Sequence, residues 1–361
     1  MEEKISGINI GGLEIDTCII QGGMGVNISK AGLASAVANN GGVGNIATVG
    51  LGNHENFDGS YAEANVVALV SEINKARGMS NGRGVIAANV MYALSDYDTL
   101  IETIVKEKVP LLFTGAGFDA NLPKKIEDSD TMAVPVISYA RFIPHILKEW
   151  GNYNYSPAAI VIEGPKAGGH LGYGRKRLED PPFVESSLER EVKRAVEKVK
   201  GLNIPIIAAG GIYTGADIYE ALGWGAKGVQ MGTRFVVTDE CDANIRFKQV
   251  YLDAKKEDII LIDSPVGFPG RAVNNAFLER VMSGERDNFS CPYHCLNACK
   301  PKESPYCIAA ALKNAGEGDL HHGFAFAGTN AYRCDKIIPV RELMDTLGKE
   351  YSEAVVANEK K

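Results

Sequence analysis

Eight short apolar runs, each followed by a helical pattern or a turn, constrain this chain more than any other feature. They are "TCIIQ" (17–21), "GVGNIAT" (42–48), "GVIAANV" (84–90), "VPLLFTG" (109–115), "VPVIS" (134–138), "AAIVIEG" (158–164), "IPIIAAG" (204–210) and "AKGVQMG" (226–232). Continuous rather than alternating apolarity suits parallel strands covered on both faces. Helical spacing follows in "SKAGLASAVANN", with Ser29 as candidate N-cap and Asn40–Gly41 as a stop. It recurs in "AEANVVALVSEINKAR", "SLEREVKRAVEKVKG" and "GADIYEALGWG". The count predicts an α/β chain folded as a closed (β/α)8 TIM barrel. The competing arrangement is an open doubly wound sheet.

After about residue 239 the rhythm breaks. "ECDANIRFKQVYLDAKKEDIILIDS" reads as a helix and then an extended run, and "PVGFPGRAVNNAFLERVM" as a turn and then a helix. A closing helix is expected at "IPVRELMDTL", with the tail over 349–361 solvated or frayed at its end. The predicted division is a barrel over 1–238, a small C-terminal additional domain over 239–325, and a segment over 326–361 that returns to the barrel.

A net charge of -7 gives no general attraction to nucleic acid or to an anionic membrane. The opening "MEEKISGINIGG" has no signal-like apolar region, and no apolar run approaches the ~18 residues of a membrane span. Seven cysteines, four of them clustered late, do not form a distributed disulfide framework. The expectation is a cytoplasmic enzyme acting on a small molecule, with a homodimer as the default assembly.

A barrel binds its ligands at the C-terminal ends of its strands. There the chain concentrates glycine: "QGGMG" (21–25), "TGAG" (114–117), "EGPKAGGHLG" (163–172), "AAGGI" (208–212) and "MGTRF" (231–235). The last two follow strands seven and eight, a recurrent place for a phosphate. Gly210, Gly211, Gly232 and Thr233 are therefore candidates to hold a phosphorylated ligand, either a substrate or a flavin mononucleotide. For a flavin, Gly22, Gly23 and Met24 would let backbone approach the ring, and Gln21 and Asn89 would bond its polar edge.

His170 is the candidate catalytic residue, because among six histidines it alone sits in a glycine-dense loop at a strand end. His54, His145, His294, His321 and His322 lie elsewhere. It suits a general base or a hydrogen-bond donor, or else a structural histidine in a glycine turn. No "GxSxG", "GxxxxGK[ST]" or "HExxH" motif competes.

Taken in order, "CIIQGGMG", "EGPKAGGHLG", "IAAGGI", "GVQMGTRFVVTDE", "SPVGFPGRAVNN" and "FAGTNAYR" resemble the nitronate monooxygenase family, formerly 2-nitropropane dioxygenases. That family includes FMN-dependent enoyl-acyl-carrier-protein reductases. The resemblance implies an FMN-binding barrel with His170 as active-site histidine. It also implies a cofactor-binding wall of Gln21, Gly22, Gly23, Met24, Asn89, Glu163, Lys166, Gly168, Gly169, Gly210, Gly211, Gly232 and Thr233. Lys166 departs from relatives that carry an acid or an apolar residue there. It would sit beside the flavin or point to solvent.

The implied activity is oxidation of nitronates with flavin and oxygen. The alternative is NAD(P)H-dependent reduction of an enoyl thioester carried on acyl carrier protein or CoA. A flavin-free barrel isomerase or lyase of a phosphorylated substrate, and a redox sensor, are weaker readings.

Cys291, Cys295, Cys299 and Cys307 are spaced C-x3-C-x3-C-x7-C. Three readings stay open: an iron–sulfur cluster such as [4Fe–4S], structural zinc, or buried or disulfide-linked cysteines.

Overall fold

The computed structural model describes residues 5–52, 57–287, 289–291 and 293–359. His54 lies outside them. All eight predicted strands are present: β3 (Ile19–Gln21), β4 (Val43–Ala47), β5 (Val85–Met91), β6 (Leu111–Gly115), β7 (Met132–Ile137), β8 (Ile160–Glu163), β10 (Ile206–Ala209) and β11 (Gly228–Met231). They pair in parallel and close in the order β10-β11-β3-β4-β5-β6-β7-β8. The open-sheet alternative is thereby excluded. Closure explains the continuous apolar runs: Ile20, Val43, Leu111, Phe113, Ile160 and Ile207 are fully buried. Burying each such side chain contributes about 1.5–3 kcal/mol.

A hairpin that sequence reasoning missed precedes the barrel, β1 (Ile8–Ile10) and β2 (Leu13–Ile15), turning on Gly11 and Gly12 at φ 60° and 95°. Both positive angles are what a two-residue hairpin loop demands. Its side chains Ile8, Ile10 and Ile15 join the barrel core. The turn lies against Met132 and Ala158, where β7 and β8 begin, so the hairpin covers the end of the barrel opposite the strand C-termini.

The helix expected from Ser29 begins at Ala31, and Ser29 does not cap it. The Ser29 hydroxyl exchanges hydrogen bonds with the Met24 backbone instead. The Asp242 carboxylate accepts from the N–H groups of Lys30, Gly32 and Leu33 at 2.8, 3.1 and 3.1 Å. A partner more than two hundred residues away thus satisfies three donors of that first turn, and the Glu72 carboxylate accepts from the Ala31 N–H at 3.0 Å. Capping boxes at Ser60–Glu63 and Thr214–Asp217 start two other helices, Tyr61–Met79 and Gly215–Gly223.

Beyond the eighth strand come helix Ile245–Asp253, strand β12 (Ile259–Asp263), strand β13 (Pro269–Val273) and helix Ala276–Met282. The segment expected as a turn before that last helix is β13. Between the barrel strands β8 and β10 lies a two-residue strand, β9 (Gly169–His170), and the order β12-β13-β9 forms a separate antiparallel sheet. The final helix runs Val340–Glu359, well into the tail expected to fray. Its first half buries Val340, Leu343 and Leu347 in the same core as the barrel strands. It also lies against Gly215, where a Cβ would stand 2.2 Å from the Leu347 carbonyl oxygen.

Candidate active site

At the C-terminal mouth of the barrel the strand ends enclose a cavity of about 340 Å³. Strand β3 delivers Gly22, Gly23 and Met24, and β5 delivers Asn89. Gly23 has to be glycine, since a Cβ there would stand 2.4 Å from the Asn89 Cβ. Strand β8 and its loop deliver Glu163, Lys166, Gly168, Gly169 and His170. Strands β10 and β11 deliver Gly210, Gly211, Gly232 and Thr233. Every site residue expected from the barrel sequence lines this one cavity except Gln21.

Gln21 is fully buried in the wall behind it. Its side-chain oxygen accepts from the Asn45 N–H at 2.8 Å, and its amide NH2 donates to the Gly22 carbonyl. The side chain at the end of a short strand turned inward between neighbouring strands, which no local pattern could show. Gln230 of β11 lines the cavity instead. Lys166 contributes its stem and backbone, while its ammonium pairs with the exposed Glu185.

His170 is held from three sides. As part of β9 it pairs with Gly270 of β13. Its Nε2 lies 2.7 Å from the Ser264 hydroxyl. The Phe326 ring meets it edge-on at 4.9 Å. Burial against these groups pushes its pKa down to about 4, so the imidazole is neutral near pH 7. Burial acts oppositely on the Glu163 carboxyl, pushed up to about 7. A group poised there exchanges protons easily at neutral pH.

Sequence reasoning missed the residues that fix these loops. Arg271 is buried, and its guanidinium donates to the carbonyls of Pro165 and Ala167, both at 2.6 Å, clamping the loop ahead of His170. The segment 327–330 also lines the cavity. Its Gly328 N–H donates to the Thr233 hydroxyl, its Thr329 N–H to the Lys166 carbonyl, and the Asn330 side chain to the Gly211 carbonyl. Arg271 lies in "SPVGFPGRAVNN" and 327–330 in "FAGTNAYR", two of the stretches that carry the family resemblance.

The cradle is shaped for a ligand that backbone must approach. Gly210 and Gly211 take φ of 88° and 98°, which L side chains rarely adopt. A Cβ on Gly210 would stand 2.7 Å from the Gly164 carbonyl oxygen. Side-chain-free backbone at these two strand ends fits a phosphate, and the glycines of β3 fit a flat ring pressed against them.

A closed barrel whose mouth gathers His170 with glycine-lined strand ends defines a (β/α)8 barrel enzyme, and its family supplies the reaction class, oxidoreductase. The chain belongs to the nitronate monooxygenase family, whose model matches residues 8–350. Family members are FMN-dependent.

A 5-hydroxy-7a-methyl-1-oxo-octahydro-1H-indene-4-carboxyl-CoA dehydrogenase of Mycobacterium tuberculosis is 26% identical over 303 residues, 84% of this chain and 71% of that protein. A probable nitronate monooxygenase of Staphylococcus aureus is 28% identical over 223 residues, 62% of this chain and 58% of that protein, so the match spans less than two thirds of that relative. The structure of FabK from Thermotoga maritima superposes with a TM-score of 0.75 and 25% identity, covering 96% of each chain.

Proposed function

We propose that this protein is an FMN-dependent oxidoreductase that oxidises small nitronates with oxygen. The observation that carries the reading is the neutral His170 inside a cavity whose glycine-lined walls match a flavin and its phosphate. Gly210, Gly211, Gly232 and Thr233 would hold the phosphate, and Gly22, Gly23, Met24 and Asn89 the ring. When bound, FMN supplies the electron exchange with substrate and with oxygen.

The protein's own part is binding, orientation and proton handling. Val26, Met91, Val136, Ile212 and Leu296 give the cavity apolar walls that exclude water and suit an aliphatic substrate. A neutral imidazole bonded to Ser264 keeps one ring nitrogen as donor and one as acceptor. It can therefore donate a hydrogen bond to an oxygen of the nitronate. Glu163 is a proton carrier on the same wall.

A second reading is NAD(P)H-dependent reduction of an enoyl thioester on acyl carrier protein or CoA. It is supported by the CoA thioester in the name of the mycobacterial relative, which aligns with 84% of this chain. The same His170 would then hold the thioester oxygen.

Anaerobic mixing of the flavin-loaded protein with a nitronate, and separately with NAD(P)H, tests the choice. Bleaching by the nitronate alone supports the first reading. Bleaching by NAD(P)H with reoxidation by an enoyl thioester overturns it in favour of the second. Purified protein that neither carries nor takes up FMN overturns both and returns the barrel to a flavin-free isomerase or lyase. We further propose a cytoplasmic homodimer, with sedimentation and cell fractionation as the tests. Among the described residues no helix is long and apolar enough to cross a membrane.

A further inference from the structure

The late cysteine segment packs against the mouth of the barrel. The Ser95 N–H, just beyond β5, donates to the Cys295 carbonyl at 3.1 Å, and Leu94 bridges Leu296. Cys295 and Leu296 consequently form part of the cavity wall. All seven cysteines are free thiols, so no disulfide explains the clustering.

Four thiols converge there. Cys295 interacts electrostatically with Cys291, Cys299 and Cys307, and those three interact with one another. Cys291, Cys295 and Cys307 also share one apolar cluster with Tyr61, Tyr293 and Ala309. Cys307 occupies the N-cap position of the helix Ile308–Gly316. One backbone donor is aimed at a sulfur of the group. The His294 N–H reaches the Cys291 Sγ at 3.3 Å. Thiols are weak acceptors, and such a donor suits a thiolate.

Two kinds of metal site take four thiolates. A single tetrahedral ion draws its sulfurs to ~2.3 Å of one point. Among the described residues no three His, Cys, Asp or Glu side chains are gathered so as to hold one ion. An iron–sulfur cluster puts its thiolates on different irons, so the sulfurs surround a larger body. Four neighbouring thiols supply the four thiolates that such a cluster takes.

We propose that Cys291, Cys295, Cys299 and Cys307 ligate a [4Fe–4S] cluster at the rim of the active-site cavity. This inference stands independently of the flavin reading. It concerns binding alone and requires no substrate.

The test is anaerobic purification, followed by anaerobic reconstitution with ferrous iron and sulfide. Iron, sulfide, zinc and FMN are then measured on one sample. The expected result is about four irons and four sulfides per chain, with a paramagnetic signal after dithionite. Cys299→Ser and Cys291→Ser should lower iron to less than half, while Cys334→Ala, away from the group, keeps it. One zinc per chain without sulfide overturns the proposal. So do four titratable thiols with no metal after reconstitution, or iron that survives the Cys291 and Cys299 changes. The wild-type contents decide by themselves, so a variant that fails to fold leaves the test intact. Iron without FMN would overturn the flavin reading and leave this one standing.

Discussion

His170 Nε2 and Ser264 Oγ stand 2.7 Å apart although 94 residues separate them in the chain. The contact exists because β9 adds to the edge of β13, placing His170 opposite Gly270 and close to the residue that follows β12. Ser264 touches the imidazole and so orients it. Ser264→Ala should cost about three- to tenfold in kcat/KM, the value of one neutral hydrogen bond. His170→Asn should cost about a hundredfold or more, with FMN retained. Steady-state rates on flavin-loaded protein check both. An unchanged rate in Ser264→Ala would show that the contact does not orient the ring.

The pH dependence of stability carries two opposed signs. His170 falls from 6.5 to about 4 on folding, so between those values the unfolded chain binds more protons and stability drops as pH falls. Glu163 rises from 4.5 to about 7, so over that range the folded chain binds more protons and stability drops as pH rises. From about pH 4.5 to 6.5 the two slopes oppose each other. Glu163→Gln should unmask the histidine, giving a Tm that climbs from pH 4.5 to 6.5 and then levels. Thermal melts across that range read it directly. A profile identical to wild type would mean the carboxyl titrates near its ordinary value.

Among the described residues, Arg271 supplies the only side-chain hydrogen bonds to the carbonyls of Pro165 and Ala167. Arg271→Met keeps volume but leaves two buried acceptors unpaired, at about 1–3 kcal/mol each. Urea unfolding should show a loss of about 3 kcal/mol or more. Activity should fall as well, because the clamped loop leads into His170. Arg271→Lys should recover part of the stability.

Two glycine-to-alanine changes should move in opposite directions. At Gly210 the positive φ and the nearby Gly164 carbonyl make alanine strained, by about 1–2 kcal/mol for the dihedral alone. The expected readout is weakened FMN retention on gel filtration. Gly348 lies inside the helix Val340–Glu359 with nothing near its would-be Cβ. There alanine should stabilise by about 1 kcal/mol. A stabilised Gly210→Ala protein that keeps its FMN would remove the close-approach reading of that cradle.

Much of this molecule was legible before folding. The eight barrel strands were readable because a parallel strand covered on both faces leaves an unbroken apolar run. The strand-end glycines were readable because φ above zero and close backbone approach exclude other residues. What escaped was set by partners far along the chain. Asp242 rather than Ser29 caps a helix, Gln21 turns into the wall, and β13 forms where a turn was expected. The last helix extends through a polar tail because its first half is anchored in the barrel core.

The sequence by itself therefore determined the barrel and the glycine positions that line its mouth. Both follow from local sterics and from the periodicity of burial. Only the tertiary structure decided that Ser264, Arg271 and Phe326 position His170, and that Cys295 stands in the cavity wall. Those relationships depend on the register between β9 and β13 and on the docking of the cysteine segment beside β5. Neither is written in any stretch short enough to carry a pattern.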